Sequence, residues 1–294
     1  MIVVTTPTGQ IGREVVQNLL SADQPVRVIA REPIKLPKAV LGRVQVVQGS
    51  HGDGAVVEEA LKDAEAMFWV APPDISKTQE EAYVEFTRPA AGVIRGLGGK
   101  RVVSVTGIGR GTAWAHKAGL VTASVQMDDL LGSSAAAFRG LAMPSSMENF
   151  LRQVGSMKEQ GLMSGPIDPD RRLPWTSTSD LAAVAARLLL DGGWTGNAEI
   201  PVLGPDVLSF SEIAQIISEI TGCQVRYQQV TFDALKQQFL RRGASESFAQ
   251  GYVDMYRAKN EGMDNTALSS STAEHTSTNF RTWCEQHIKP ALRG

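Results

Sequence analysis

Residues that build disulfide scaffolds and metal sites are scarce in the sequence. Its 294 residues include two cysteines and four histidines. Cys223 and Cys284 lack the spacing of a disulfide framework or a zinc site. His275 and His287 have no metal-ligand spacing with a nearby Asp or Glu. We therefore expect no metal, and a core held by apolar burial, for which a chain of this length is sufficient.

An excess of positive charge and long apolar runs are also missing. The 29 Lys and Arg are balanced by 31 Asp and Glu, so nucleic acid is not an expected partner. No apolar run approaches the ~20 residues of a membrane-spanning helix. The first residues are typical of a strand rather than of a signal peptide. These features favour a cytoplasmic protein with a small-molecule substrate and no membrane partner, and they are compatible with a homodimer.

The first half of the chain alternates β-branched apolar runs with helical patterns. Strands are predicted at Ile2–Thr5, Val26–Ala30, Val44–Val47, Ala66–Ala71, Arg101–Thr106 and Ala135–Met143. Helices between them are predicted at Arg13–Leu20, Val56–Leu61 and Glu80–Leu97. Runs that are apolar throughout indicate strands covered on both faces, as in parallel sheets flanked by helices. The pattern predicts the α/β class with the doubly wound parallel sheet of the Rossmann fold.

The second half is less regular and predicts a smaller α/β lobe. Helices are predicted at Met147–Gln160, from the capping residues Thr178–Asp180 to Leu190, up to Ile220, and at Phe232–Leu240, Ser247–Lys259 and Phe280–Leu292, with a strand at Val225–Val230. Ser209 and Glu212 form a capping box for the helix that ends before Gly222.

The turn after the first strand has a glycine pattern. Gly9 and Gly12 have the spacing of the last two glycines of a dinucleotide-binding loop, which brings bare backbone to a pyrophosphate at a helix N-terminus. Thr6 stands at the first glycine position, so a reshaped loop or weaker binding is one expectation. Cofactor contacts are predicted from Thr6, Thr8, Gly9, Gln10, Ile11 and Gly12. The alternative is a plain strand-to-helix turn.

Arg31 follows the second strand, where an NAD site typically carries an Asp or Glu for the ribose 2′-hydroxyl. A guanidinium instead matches a 2′-phosphate in charge and geometry. Lys35 is close enough in sequence to assist. The alternative is a solvated arginine at a strand end. We therefore predict NADP(H) as the cofactor.

Several segments together resemble the NmrA-like, atypical branch of the short-chain dehydrogenase/reductase superfamily, and most of all its quinone-reductase-like members. The similar segments are Val4–Gly12, Ala30–Lys35, Val46–Gly49, Ala60–Ala66, Val70–Pro73, Pro144–Asn149, Ser179–Ala182, Leu203–Pro205 and Phe210–Ala214. The resemblance implies that Val70, Ala71, Pro72 and Pro144 border the cofactor. Residues 1–160 would then form the NAD(P)-binding domain with a returning helix near 178–191, and residues 161–294 an interleaved substrate-binding lobe.

The catalytic Tyr-x-x-x-Lys pair of the superfamily is missing. The four tyrosines are Tyr83, Tyr227, Tyr252 and Tyr256, and none follows the fifth strand. His116 is a candidate proton donor because imidazole titrates near neutral pH. Lys117 is a candidate for polarising a carbonyl or holding the ribose, and Thr106 stands near the position of the family serine. The alternative is that His116 and Lys117 are surface loop residues.

Apolar residues near the carboxyl edge of the predicted sheet are candidates for a substrate pocket, although core packing explains them equally well. They are Trp114, Met143, Met147 and Phe150. His51 is a candidate neighbour of the adenine. Asp128 and Asp129 are interpreted as a solvated helical face, since adjacent helical residues diverge by about 100°.

Three functions remain open. The first is an NADP(H)-dependent oxidoreductase that reduces a small apolar carbonyl, quinone or enone, for which little acid catalysis from a side chain is needed. The second is a regulatory protein that senses NADP(H) without turnover. The third is a non-redox biosynthetic enzyme, an isomerase, cyclase or lyase, on a Rossmann scaffold.

Overall fold

A computed structural model describes residues 1–293, which form two units. The first unit comprises Met1–Gly107, Ala123–Ala142 and Leu181–Ile200. The second comprises Ile108–Thr122, Met143–Asp180 and the chain from Pro201 onward.

The strands are β1 Ile2–Thr5, β2 Val26–Ala30, β3 Val44–Gln48, β4 Ala66–Trp69, β5 Arg101–Gly107, β6 Ala137–Met143, β7 Ser145–Ser146, β8 Leu162–Gly165, β9 Leu173–Thr176, β10 Gly196–Leu203, β11 Val207–Leu208, β12 Arg226–Gln229 and β13 Glu274–His275. The α-helices are α1 Gln10–Ser21, α2 Lys38–Leu41, α3 Gly54–Leu61, α4 Phe86–Gly96, α5 Leu120–Gly132, α6 Val154–Gln160, α7 Thr178–Leu190, α8 Phe210–Thr221, α9 Phe232–Arg241, α10 Glu246–Asn260 and α11 Phe280–Arg293. Short 3₁₀-helices lie at Pro33–Lys35, Met147–Gln153 and Met263–Ser269, and a π-helical turn at Glu81–Glu85.

An eight-stranded sheet has the order β13-β10-β6-β5-β4-β1-β2-β3. Strand β1 pairs in parallel with both β2 and β4, with Ile2 opposite Val26 on one side and Ala66 on the other. Every residue of β1 and β4 is buried, as the continuous apolar runs predicted. The order reverses beside β1, which is where open α/β sheets bind ligands at the carboxyl ends of their strands. The predicted doubly wound α/β fold is confirmed.

Two helical predictions need correction. The helix predicted over Glu80–Leu97 begins with the π-helical turn, and its regular α-helix starts at Phe86. Pro89 has no N–H to donate to the carbonyl of Glu85, so the regular hydrogen-bond ladder is interrupted there. Strand β10 was not predicted, because Gly196, Asn197 and Pro201 are unfavourable in strands and conceal its apolar end.

The interpretation of Asp128 as part of a solvated face is wrong. Asp129 is exposed, but Asp128 is only 1% exposed and accepts a 2.6 Å hydrogen bond from the Ser104 hydroxyl on β5. Its helix packs in the first unit so that this carboxylate points to the strand.

The second unit has its own core. Aromatic residues dominate it, with Phe150, Trp175, Phe280 and Trp283 all fully buried. The capping box of α8 is confirmed, because the Ser209 hydroxyl accepts from the Glu212 amide and the Glu212 carboxylate accepts from the Ser209 amide.

Within residues 1–293 no helix is both long and apolar enough to cross a membrane. The same residues contain no cluster of three His, Cys, Asp or Glu side chains that could hold a metal ion.

Candidate nucleotide-binding site

The glycine loop joins β1 to α1 in the first unit. Gly9 is the N-cap of α1, and no side chain caps the helix there. The first-turn N–H groups of such a helix are suited to an anion. A Cβ atom at Gly12 would lie 2.2 Å from the Thr6 carbonyl oxygen. Gly12 is therefore required for the close approach of α1 to the loop.

Thr6 retains the backbone conformation that glycine favours. Its φ is +52°, in the left-handed region that a β-branched residue rarely adopts. The Thr6 hydroxyl donates a 2.9 Å hydrogen bond to the carbonyl oxygen of Val70, after β4. The carbonyl of Thr6 still accepts from the Gly9 amide at 3.0 Å. The turn at the first glycine position is thus preserved, and the threonine side chain anchors it.

A cavity of about 110 Å³ opens beside this loop. It brings together five of the predicted cofactor residues: Thr6, Thr8, Arg31, Lys35 and Pro72. Sequence reasoning missed the other lining residues, Pro7, Ile29, Ala30, Glu32 and Gly49. Gly49 follows β3 with a φ of +152°, and a Cβ there would lie 2.6 Å from the Val56 side chain. Its role becomes visible only when β2 and β3 are paired.

The charges around this cavity are unequal in availability. The Lys35 ammonium is 2.6 Å from the Glu32 carboxylate. In contrast, the exposed Arg31 guanidinium has no carboxylate partner within residues 1–293. Arg31 is therefore the cation at this cavity that is free to meet an anionic ligand.

A second cavity of about 370 Å³ shares Arg31, His51 and Pro72 with the first. Its remaining lining is Ser50, Asp74, Lys77, Glu81, Ala82 and Phe86. These residues come from the segments after β3 and β4 and from the π-helical turn. The two cavities form one continuous lining around Arg31 and His51.

His51, predicted beside the adenine, lies on the wall of both cavities. Its ring is 94% buried, and meets Trp69 and Phe86 edge-on with centroids 4.9 Å away in each case. Burial, with a smaller contribution from the Arg31 charge, lowers the His51 pKa to about 4. The neutral ring is 3.0 Å from the Val70 carbonyl oxygen through Nε2, which therefore carries the proton. Val70 thus accepts hydrogen bonds from both His51 and Thr6.

The remaining cofactor candidates are divided between the units. Gln10 and Ile11 form the first turn of α1, and Ala71 is buried in the core of the first unit. Pro144 is buried and belongs to the second unit.

The catalytic candidates are also divided. Thr106 is buried at the end of β5 in the first unit, 2.8 Å from the Ser124 hydroxyl. His116 and Lys117 are exposed on the segment 108–122 of the second unit. Trp114 of the same segment donates through its indole to Glu261 at 2.6 Å. This contact ties the segment to the end of α10.

The apolar substrate candidates differ in exposure. Met143 is half-buried. Met147 and Phe150 lie in the core of the second unit, with 0% and 2% exposure, and Phe150 packs on Trp175. Core packing is what the structure shows for these two side chains.

Glu148 is a structural residue that sequence reasoning missed. Its buried carboxylate accepts from the Thr178 amide at the start of α7 and from the Trp283 indole, each at 3.1 Å. The Ser146 hydroxyl is also in contact with it. The carboxylate therefore caps α7 and joins three segments of the second unit. A carboxylate two residues after a serine gives no sequence signal for such distant partners.

The chain matches known families and proteins over most of its length. Residues 7–191 match a family described as NAD(P)H-binding, and residues 132–285 match the NmrA-like family. The NAD(P)H azoreductase of Xenophilus azovorans is 29% identical over 256 residues, covering 87% of this chain and 86% of that protein. Quinone oxidoreductase 2 of Escherichia coli is 24% identical over 285 residues, covering 95% of each.

A solved structure shows the same fold. The crystal structure of an NADPH-dependent quinone oxidoreductase from Escherichia coli, complexed with NADPH, superposes with a TM-score of 0.79. It is 21% identical, and the match covers 97% of this chain and 99% of that one.

Proposed function

The chain belongs to the NmrA-like family, with its NAD(P)H-binding domain, and we propose that it uses NADPH to reduce a small, flat, apolar acceptor such as a quinone, an enone or an azo compound. The family membership confirms the resemblance drawn from the sequence. The observation that carries the proposal is the unpaired Arg31 guanidinium on the cavity beside the glycine loop. The names of the two relatives support the acceptor class.

The residues present fit a dinucleotide phosphate. Gly9 leaves the N-terminus of α1 without a side-chain cap, and Gly12 lets the helix approach the loop. These features suit a pyrophosphate. Arg31 suits a 2′-phosphate, because a guanidinium forms paired, charge-assisted hydrogen bonds with phosphate oxygens. Lys35 contributes less, since its ammonium already pairs with Glu32.

The division of chemical labour follows from these roles. When bound, the reduced nicotinamide supplies a hydride, which with one proton reduces a two-electron acceptor. The protein binds and orients the cofactor through the glycine loop and Arg31. We assign proton delivery to His116 or solvent, with Lys117 and Thr106 as supporting candidates and Trp114 and Met143 as candidate substrate contacts. The acceptors proposed are those that need least acid catalysis from a side chain, which agrees with the missing Tyr-x-x-x-Lys pair.

The test is a calorimetric titration of the protein with NADPH and with NADH at fixed salt. We expect NADPH to bind at least ten-fold more tightly, a difference of about 1.4 kcal/mol. Arg31→Gln should remove that preference without weakening NADH binding. Lys38→Gln is the matched control, because Lys38 is exposed nearby but lines neither cavity. Equal binding of the two nucleotides by the native protein would overturn the assignment of Arg31.

Turnover is tested next with 1,4-naphthoquinone, an enone and azobenzene, following the loss of NADPH absorbance. Oxidation of NADPH with any of these supports the reductase. Tight NADPH binding with no oxidation by any acceptor would instead favour the nucleotide-sensing alternative.

A further inference from the structure

Helices α9 and α10 of the second unit carry a row of nearly parallel aromatic rings. Phe239 stacks on Tyr252 with centroids 3.8 Å apart and planes 10° apart. Tyr252 and Tyr256 are inclined by 20°, with centroids at 6.4 Å. We call Phe239, Tyr252 and Tyr256 the aromatic strip. Phe248, which is fully buried, meets Tyr252 edge-on from below.

The aromatic strip lies in a recess. Burial raises the pKa of both tyrosines, and that of Tyr256 to about 12. All three side chains nevertheless keep accessible surface. A ring that is surrounded by protein and still reached by solvent lies in a concave region, unlike the fully buried rings of the neighbouring core.

The tyrosine hydroxyls of the strip are also left open. Tyr227 on β12 donates to the Ile167 carbonyl at 2.9 Å, as a packed tyrosine usually does. Within the described part of the chain, neither Tyr252 nor Tyr256 has a hydrogen-bond partner for its hydroxyl. Ring packing alone leaves these polar groups without protein partners, whereas a ligand in the recess can reach them.

Two cations flank the strip. Arg152, on the 3₁₀-helix at Met147–Gln153, and Arg242, after α9, both lower the pKa of Tyr252 by their charge, and Arg152 does the same at Tyr256. Both arginines are exposed, and neither has a carboxylate partner among residues 1–293. A guanidinium is suited to a carboxylate or a sulfonate, and it can stack on a ring.

We propose that the aromatic strip, together with Arg152 and Arg242, binds a flat aromatic anion. Extended stacked faces select a planar ring system, and the two guanidinium groups select an acidic substituent at its edge. Resting on the proposed function, this names the acceptor class: aromatic compounds that carry a carboxylate or a sulfonate.

The test measures binding without turnover. Equilibrium dialysis in the presence of NADP⁺ compares 4-phenylazobenzoate with uncharged azobenzene. We expect the anion to bind at least ten-fold more tightly. Arg152→Gln and Arg242→Gln should each reduce that preference, and Tyr256→Leu should weaken both probes while Tyr256→Phe weakens them much less. Arg241→Gln, which removes a charge from the same helix end, is the matched control and should change nothing.

The outcomes separate this inference from the proposed function. Equal binding of the two probes, or an unchanged preference in both arginine variants, would overturn the inference even if uncharged naphthoquinone is reduced. The predicted binding pattern without reduction of any acceptor would sustain the anion site and refute the reductase. Because both arginines are exposed, their replacement leaves the core intact and the comparison stands on folded protein.

Discussion

Replacing Thr6 separates the two roles that the structure gives this residue. Thr6→Val keeps the β-branched shape in a backbone with φ of +52° but removes the hydroxyl that donates to Val70. Thr6→Gly removes the hydroxyl and the conformational strain together. We expect the valine variant to lose stability and the glycine variant to stay close to the native protein.

The magnitudes follow from opposing contributions. Loss of one neutral hydrogen bond destabilises by about 1 kcal/mol. The Val70 carbonyl keeps the His51 donor, so no larger penalty for an unsatisfied group is added. Glycine relieves about 1–2 kcal/mol of left-handed strain, but its freer unfolded chain costs about 0.5–1 kcal/mol. The expected free energy of unfolding is therefore lower by about 1 kcal/mol in Thr6→Val and changed by less than about 1 kcal/mol in Thr6→Gly.

Urea unfolding curves measure these differences, with Thr8→Val as the control. Thr8 is exposed in the same loop, and no hydrogen bond of its hydroxyl is found in residues 1–293, so its replacement should be neutral. A Thr6→Val protein as stable as the native one would show that the hydroxyl does not anchor the turn. A loss above about 2 kcal/mol in Thr6→Gly would refute the glycine-like interpretation of this position.

Three further changes test other contacts. Gly12→Ala should weaken NADPH binding more than ten-fold in a calorimetric titration, because its Cβ would lie 2.2 Å from the Thr6 carbonyl oxygen. Glu148→Gln should lower the free energy of unfolding by about 1–3 kcal/mol in urea, because an amide cannot accept at both oxygens from Thr178 and Trp283. The folded His51 pKa of about 4 lies below the model value of 6.5, so its contribution is present above pH 6.5 and lost as the pH falls toward 4. Between pH 7 and pH 5 the native protein should lose about 2 kcal/mol that His51→Phe does not lose, as measured by unfolding at each pH.

Each of these expectations has an outcome that contradicts it. Unchanged NADPH affinity in Gly12→Ala would mean that α1 can move away from the loop without loss of the site. A native-like Glu148→Gln protein would show that its carboxylate is not needed to cap α7. Equal pH dependence in the native protein and His51→Phe would place the protonation of His51 outside the folding equilibrium.

The sequence predicts the first unit well because its signals are local. The run Ile2–Thr5, followed by a turn with Gly9 and Gly12, identifies a strand, a glycine loop and a helix from neighbouring residues alone. The capping box of Ser209 and Glu212 is equally local, and it is present as predicted. These patterns depend on backbone geometry that a few adjacent side chains determine.

The features that sequence reasoning missed depend on distant pairings. Asp128 is buried because Ser104 of another strand donates to it, and neither residue reveals the other in the sequence. Glu148 finds Thr178 and Trp283, which are 30 and 135 residues away. The aromatic strip likewise requires α9 and α10 to pack side by side before Phe239 and Tyr252 can meet.

The choice between NADPH and NADH can be traced to one side chain by the same kind of long-range argument. From the sequence, Arg31 and Lys35 appear as two equivalent cations that would share a 2′-phosphate. In the structure the Lys35 ammonium is 2.6 Å from Glu32, so its charge is largely compensated where the ligand would arrive. An exposed ion pair of this kind is weak, about 0–1 kcal/mol, and it is screened by salt. Raising the ionic strength should therefore not release Lys35 to replace Arg31, and Arg31→Gln should lose the NADPH preference at low and at high salt alike.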